Sequence, residues 1–108
     1  MKKQIVVGDL KIKRTEWYDK PLPNHESAQC GLLVFDDCIT LKSYSTIVAD
    51  YYPKNRAYCC LGTYTATTRK HLGWFAKYIN DTYGENLNYY NFKDAAEKHY
   101  GELVYIGD

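Results

Sequence analysis

The sequence predicts an α+β domain: an antiparallel meander of three or four strands, one long helix packed on it, and a second, shorter C-terminal helix. Three observations lead there. Ala57–Tyr64 alternates small and large side chains with period two, the signature of a strand. After Thr65 the period changes, and Leu72, Phe75, Ala76, Ile79 and Tyr83 fall at i, i+3, i+4, i+7 and i+11, on one helical face. Upstream, Cys30–Phe35 and Cys38–Tyr52 are β-favouring runs separated by the turn pair Asp36-Asp37.

The elements follow in order. Gln4–Lys13 carries Ile5, Val6 and Val7, then Gly8-Asp9, then Leu10 and Ile12 alternating with lysines, which predicts a hairpin or a bulged strand. Tyr18–Ser27 holds Pro21, Pro23 and Asn24 and reads as a loop, with His25 an ordinary loop residue. Cys30–Phe35 reads as a buried strand. Cys38–Tyr52 reads as one long strand whose parity slips near Ser43, where a bulge would re-aim the hydroxyls of Ser43-Tyr44-Ser45-Thr46. Pro53-Lys54-Asn55-Arg56 is a turn into the strand that feeds the long helix.

The long helix is expected over residues 66–83. Thr65, Thr67 and Thr68 each fit its N-cap, because a hydroxyl there accepts a bond from an unpaired first-turn N–H. Gly84 ends it, since glycine takes the left-handed conformation without steric cost. Asn91 is placed to cap a second helix that shows Phe92, Ala95, Ala96, His99, Tyr100 and Leu103 on one face. By this reading His99 is packed. Gly101 ends that helix, and Leu103–Ile106 adds an edge strand.

With 108 residues and no internal repeat, the chain is expected to form a single domain, 1–108, large enough to bury a core without disulfides. The four cysteines, Cys30, Cys38, Cys59 and Cys60, include no C-x-x-C pair and no Cys/His spacing of a zinc site. Cys59 and Cys60, as strand neighbours, should point to opposite faces. Met1-Lys2-Lys3-Gln4 does not open a secretory leader, so the expectation is a cytoplasmic protein with reduced thiols. No apolar run is long enough to span a membrane, and no cofactor or metal is expected.

A net charge of +1 argues against both a strongly basic nucleic-acid binder and an acidic nucleic-acid mimic. Charge is nevertheless segregated: residues 54–79 hold five Lys/Arg and no Asp/Glu, whereas 80–108 hold two against six. Beside the apolar face of the long helix run His71, Trp74, Tyr78 and Thr82, and then the basic side with Arg69, Lys70 and Lys77. Tyr44, Thr67, Thr68, Arg69, Lys70, His71, Trp74 and Lys77 form the candidate binding set. The helix start offers free N–H groups and a positive dipole end to an anion, while Tyr44, Tyr64 and Trp74 offer stacking surfaces. The bland account of the same residues is equally physical: threonines cap, His71 bonds back to the meander, and aromatics pack.

Catalysis is poorly supported. No nucleophile elbow surrounds any Ser or Cys, Asp36 and Asp37 diverge from a shared site, and there is no glycine-rich phosphate loop or two-histidine metal pattern.

Ser43-Tyr44-Ser45-Thr46-Ile47-Val48-Ala49 and Tyr64-Thr65-Ala66-Thr67-Thr68-Arg69-Lys70-His71 together give the pattern S-Y-x-T-x-V-A, a turn, then Y-S/T-x-T-T-x-x-H. Across about residues 39–80 this resembles a small family of proteins from bacteriophages and other mobile elements, one with no assigned activity. The resemblance marks Tyr44, Thr46, Thr67, Thr68 and His71. Together with the small size and the many tyrosines, it points to a small phage-type accessory protein of the bacterial cytoplasm that binds a host protein or nucleoprotein, with inhibition of a defence nuclease, as by an anti-CRISPR, one form of it. The alternative is a nucleic-acid module using the basic 54–79 segment. A monomer and a homodimer joined through an edge strand both fit.

Overall fold

The computed structural model describes residues 18–22, 25, 29–35, 37–44, 46–62 and 65–107. The N-terminal hairpin or bulged strand, Trp17 and Tyr64 lie outside them. Among the described residues six strands form one antiparallel sheet in sequence order: β1 (Tyr18–Lys20), β2 (Cys30–Val34), β3 (Ile39–Ser43), β4 (Thr46–Tyr52), β5 (Ala57–Cys60) and β6 (Val104–Tyr105). Two helices, α1 (Ala66–Tyr83) and α2 (Tyr89–His99), are inserted between β5 and β6. The α+β meander with a long and a short helix is thus present, and short strands at both edges make the sheet wider than three or four. β1 falls in the segment expected to be all loop, where Tyr18, Asp19 and Lys20 pair with Val34, Leu33 and Leu32. The prolines that mark that loop begin only at Pro21, so they do not obstruct the pairing.

Cys38–Tyr52 is not one long strand. It folds back as a hairpin in which Ser43 pairs with Thr46, and Tyr44 turns the chain at φ 56°. The parity slip is real but lies in β4. Leu41 pairs with Ala49 and Lys42 with Ile47, so Val48 is an extra residue. Val48 and Ala49 consequently both face the helices, while Ile47 faces the other way.

The helix-side core joins Leu32, Leu41, Tyr51 and Tyr58 of the sheet to Leu72, Phe75, Ile79, Phe92 and Ala95 of the helices, all buried. The opposite face holds a second core of Leu33, Phe35, Cys38, Tyr52, Ala57, Cys59 and Leu103. Cys60 belongs to the first and Cys59 to the second, as strand alternation requires.

Thr65 is the α1 cap: its hydroxyl accepts the Thr68 N–H at 3.2 Å. Gly84 closes the helix at φ 76°, its N–H bonding the Asn80 carbonyl at 3.0 Å. The Asn80 side chain then holds the connection, donating to the Leu87 carbonyl and accepting the Leu87 N–H, both at 2.8 Å. The cap of α2 is Asn88 and not Asn91. Asn88 accepts the Tyr90 N–H at 2.9 Å, and Asn91 serves as its partner in a capping box, accepting the Asn88 N–H at 2.9 Å. His99 and Tyr100 are exposed, contrary to the shared-face reading, because burial along α2 stops at Ala95 and the last turn lies beyond it. His99 sits where a basic residue suits the negative end of the helix dipole. Leu103 follows the helix and packs on the far face of the sheet.

Candidate functional site

The two parts of the sequence pattern meet at one end of the sheet. Ser43 closes β3 and points to the helix side, where its Oγ lies 2.7 Å from Nδ1 of His71 in the second turn of α1. Both residues are 2% exposed. The bond answers the physical question the pattern poses, since a buried imidazole needs a polar partner. The structural account of His71, a bond back to the meander, has Ser43 as its partner.

Tyr44 comes next. Its left-handed φ is rare for a bulky non-glycine residue. Its N–H donates to the Gln29 carbonyl at 2.7 Å, which ties the turn to the chain entering β2. The side chain is 53% exposed, with its ring centroid 5.9 Å from that of His71. The His71 ring lies 5.5 Å from Trp74, and Trp74 is stacked on His25 at 3.6 Å with planes 8° apart. The Lys70 ammonium sits 5.6 Å from the centre of the Trp74 ring. Four rings therefore run from the exposed Tyr44 through buried His71 to half-buried Trp74 and His25.

Of the candidate set, Tyr44, Lys70, His71 and Trp74 are brought together, with Thr67 half-buried and Thr68 buried at the same helix end. Thr68 is engaged by the Thr65 cap through both its N–H and its hydroxyl, the latter at 3.2 Å. Arg69 is exposed but five residues from Trp74, about 140° round the helix. Lys77 is exposed and paired with Asp81 at 3.1 Å. The basic 54–79 segment is dispersed further, because Arg56 is engaged by Glu85. Ser43, Gln29 and His25 were not among the candidates. Ser43 and His25 were visible only as a turn hydroxyl and a loop histidine, since nothing local signals a contact 28 or 49 positions away.

The electrostatics favour an uncharged centre. Burial lowers the His71 pKa from its ordinary value, and the positive charges of Lys70 and His25 lower it further. Burial raises the thiol pKa of Cys30, and pushes that of Cys60 up to about 12. Cys59 is raised by burial and by the neighbouring Asp50 carboxylate. Thiolates are thus disfavoured. A Ser–His contact is half of a nucleophile constellation, but here both members are enclosed, and among the described residues no carboxylate bonds the ring.

Two other features lie away from this site. Asp50 is fully buried, accepting bonds from the Thr40 hydroxyl and, at 3.1 Å, the Tyr52 hydroxyl. A cavity of about 110 Å³ lies between the β2–β3 and β4–β5 turns, lined in part by Asp37, Lys54 and Tyr83. Among the described residues no group of three or more His, Cys, Asp or Glu is arranged to hold a metal ion. No helix among them is long and apolar enough to cross a membrane.

The architecture defines a small α+β meander domain whose aromatic turn is locked to its main helix. The chain belongs to DUF8033, a family of unknown function, whose model matches residues 9–93. That match is wider than the 39–80 span of the sequence pattern and reaches into α2. No curated protein and no solved structure is significantly similar to it.

Proposed function

We propose that this chain is a binding domain without catalytic activity of its own, and that it engages a protein partner through the end of the sheet that carries Tyr44. The observation behind this reading is Tyr44 itself. A large aromatic is kept 53% exposed in a left-handed turn, where glycine or asparagine is the unstrained choice. Strained backbone at an exposed aromatic is what a contact residue needs and what packing alone does not. The buried Ser43–His71 pair beneath it rigidifies the turn, which lowers the cost of ordering it on binding.

The finer reading rests on the resemblance, the small size and the many tyrosines: an accessory protein of a phage or mobile element, acting in the bacterial cytoplasm on a host protein or nucleoprotein, for example as an inhibitor of a defence nuclease. Nucleic-acid binding has less to stand on. Arg56 and Lys77 are occupied by Glu85 and Asp81, and one face of Trp74 is already covered by His25.

The test is a photo-crosslinking residue placed at Tyr44 and, as a control, at the equally exposed Tyr90. One partner captured from Tyr44 and not from Tyr90 is the expected result. Capture that is equal at both positions, or absent at both, would remove the reading.

A further inference from the structure

The Ser43–His71 contact does more than join two elements, because of what surrounds the ring. From β3 and its turn come the Ser43 hydroxyl and the Tyr44 ring; from α1 come Lys70 and Trp74; from the loop after β1 comes His25. Cys30, the cross-strand neighbour of Ser43 on β2, adds a half-buried thiol. Among the described residues, no carboxylate bonds the ring. His71 is therefore a buried base beside the permanent cation of Lys70, with the His25 ring close by.

We infer that the Ser43–His71 bond is a proton-sensitive latch on the Tyr44 turn. A proton added to His71 places a charge in a 2%-exposed site next to Lys70 and His25. Burying that charge is the costly arrangement, and rotation of the ring toward water relieves it. That rotation breaks the contact with Ser43, the residue before the strained turn, and Tyr44 loses the ring beneath it. Under acid conditions the turn is released; near neutrality it is held. The importance of the latch for binding rests on the proposed role of Tyr44, but the latch itself is a property of the isolated chain.

The experiment is an NMR pH titration of the intact protein without any partner, following the His71 ring and the backbone amides. The His71 midpoint is expected below the value of about 6.5 for a histidine in an unstructured peptide. The Ser43 and Tyr44 amides should shift with that same midpoint, while those of Leu87 and Phe92 hold still. Lys70→Gln, at an exposed position, should move the midpoint upward. Ser43→Ala should leave a His71 titration that the Tyr44 amide no longer reports; if that variant does not fold, wild type and Lys70→Gln decide. A midpoint at or above the peptide value overturns the latch. So does a Tyr44 amide that stays flat through the midpoint, or loss of all amides together, which is global acid unfolding. None of these outcomes bears on whether a partner is captured at Tyr44, so the two ideas fail separately.

Discussion

Arg56 and Glu85 meet in a two-point ion pair, Nε to Oε2 at 2.9 Å and the terminal nitrogen to Oε1 at 2.7 Å, that ties the β4–β5 turn to the connection between the helices. The Tyr51 hydroxyl donates to the same carboxylate at 2.8 Å. Arg56 is itself in a left-handed conformation at φ 47°, and its carbonyl accepts the Ile106 N–H at 2.7 Å, so the pair also stands beside the C-terminal strand.

The Glu85 carboxyl is held below the usual carboxylate range, chiefly by the Arg56 bond and further by Tyr51. Its contribution to stability is therefore complete above the unfolded carboxylate value of about 4.3, and is lost as pH falls through that value and then through the lower folded one. Thermal melts of wild type and Glu85→Gln should differ at pH 7 and converge toward pH 3. Glu85→Ala should cost about 1–3 kcal/mol, because the buried Tyr51 hydroxyl also loses its acceptor, and should destabilise more than Arg56→Ala.

Phe75 is fully buried and packs on Phe92 at 5.6 Å between ring centres, joining both helices to the sheet. Phe75→Ala should lower stability by about 3–5 kcal/mol, a large share of the 5–15 kcal/mol typical of a small domain. The urea midpoint should fall while the slope of the transition stays the same.

Ser43→Ala leaves a buried imidazole nitrogen without its partner, for a cost of about 1–3 kcal/mol. Ser43→Thr keeps the hydroxyl and should recover part of that loss in the same chemical melt. Equal losses for both variants would show that the volume at this position matters and the bond does not.

Tyr44→Asn separates shape from function. Asparagine tolerates a left-handed φ, so relief of strain and loss of the ring contact with His71 should offset to within about 1 kcal/mol. The melting temperature should hardly change, whereas the proposed partner should no longer be retained. Unchanged retention would place the contact surface elsewhere.

The helices were largely legible. Leu72, Phe75, Ala76 and Ile79 recur at the helical period and are all buried, and Gly84 sits at the left-handed stop expected of it. Cap choice was less so. Thr65, Thr67 and Thr68 offer the same hydroxyl, and only the path of the incoming chain selects Thr65. Asn88 and Asn91 likewise look alike in sequence but take the two halves of one capping box. The β3–β4 hairpin was misread because Tyr44 is not a turn residue by type. Its position is imposed by Gln29 and His71, far away in the chain.

The sequence by itself determined what depends on neighbours: helical period, strand alternation, the placing of Cys59 and Cys60 on opposite faces, and the segregation of charge. Tertiary structure alone decided what depends on pairing across long separations. It stacked His25 on Trp74, set Ser43 against His71, and neutralised Arg56 with Glu85, so that a basic segment in sequence became a dispersed one in space. The physical reason is that local periodicity reports which face a side chain takes, whereas a partner is chosen only when the sheet register brings two faces together.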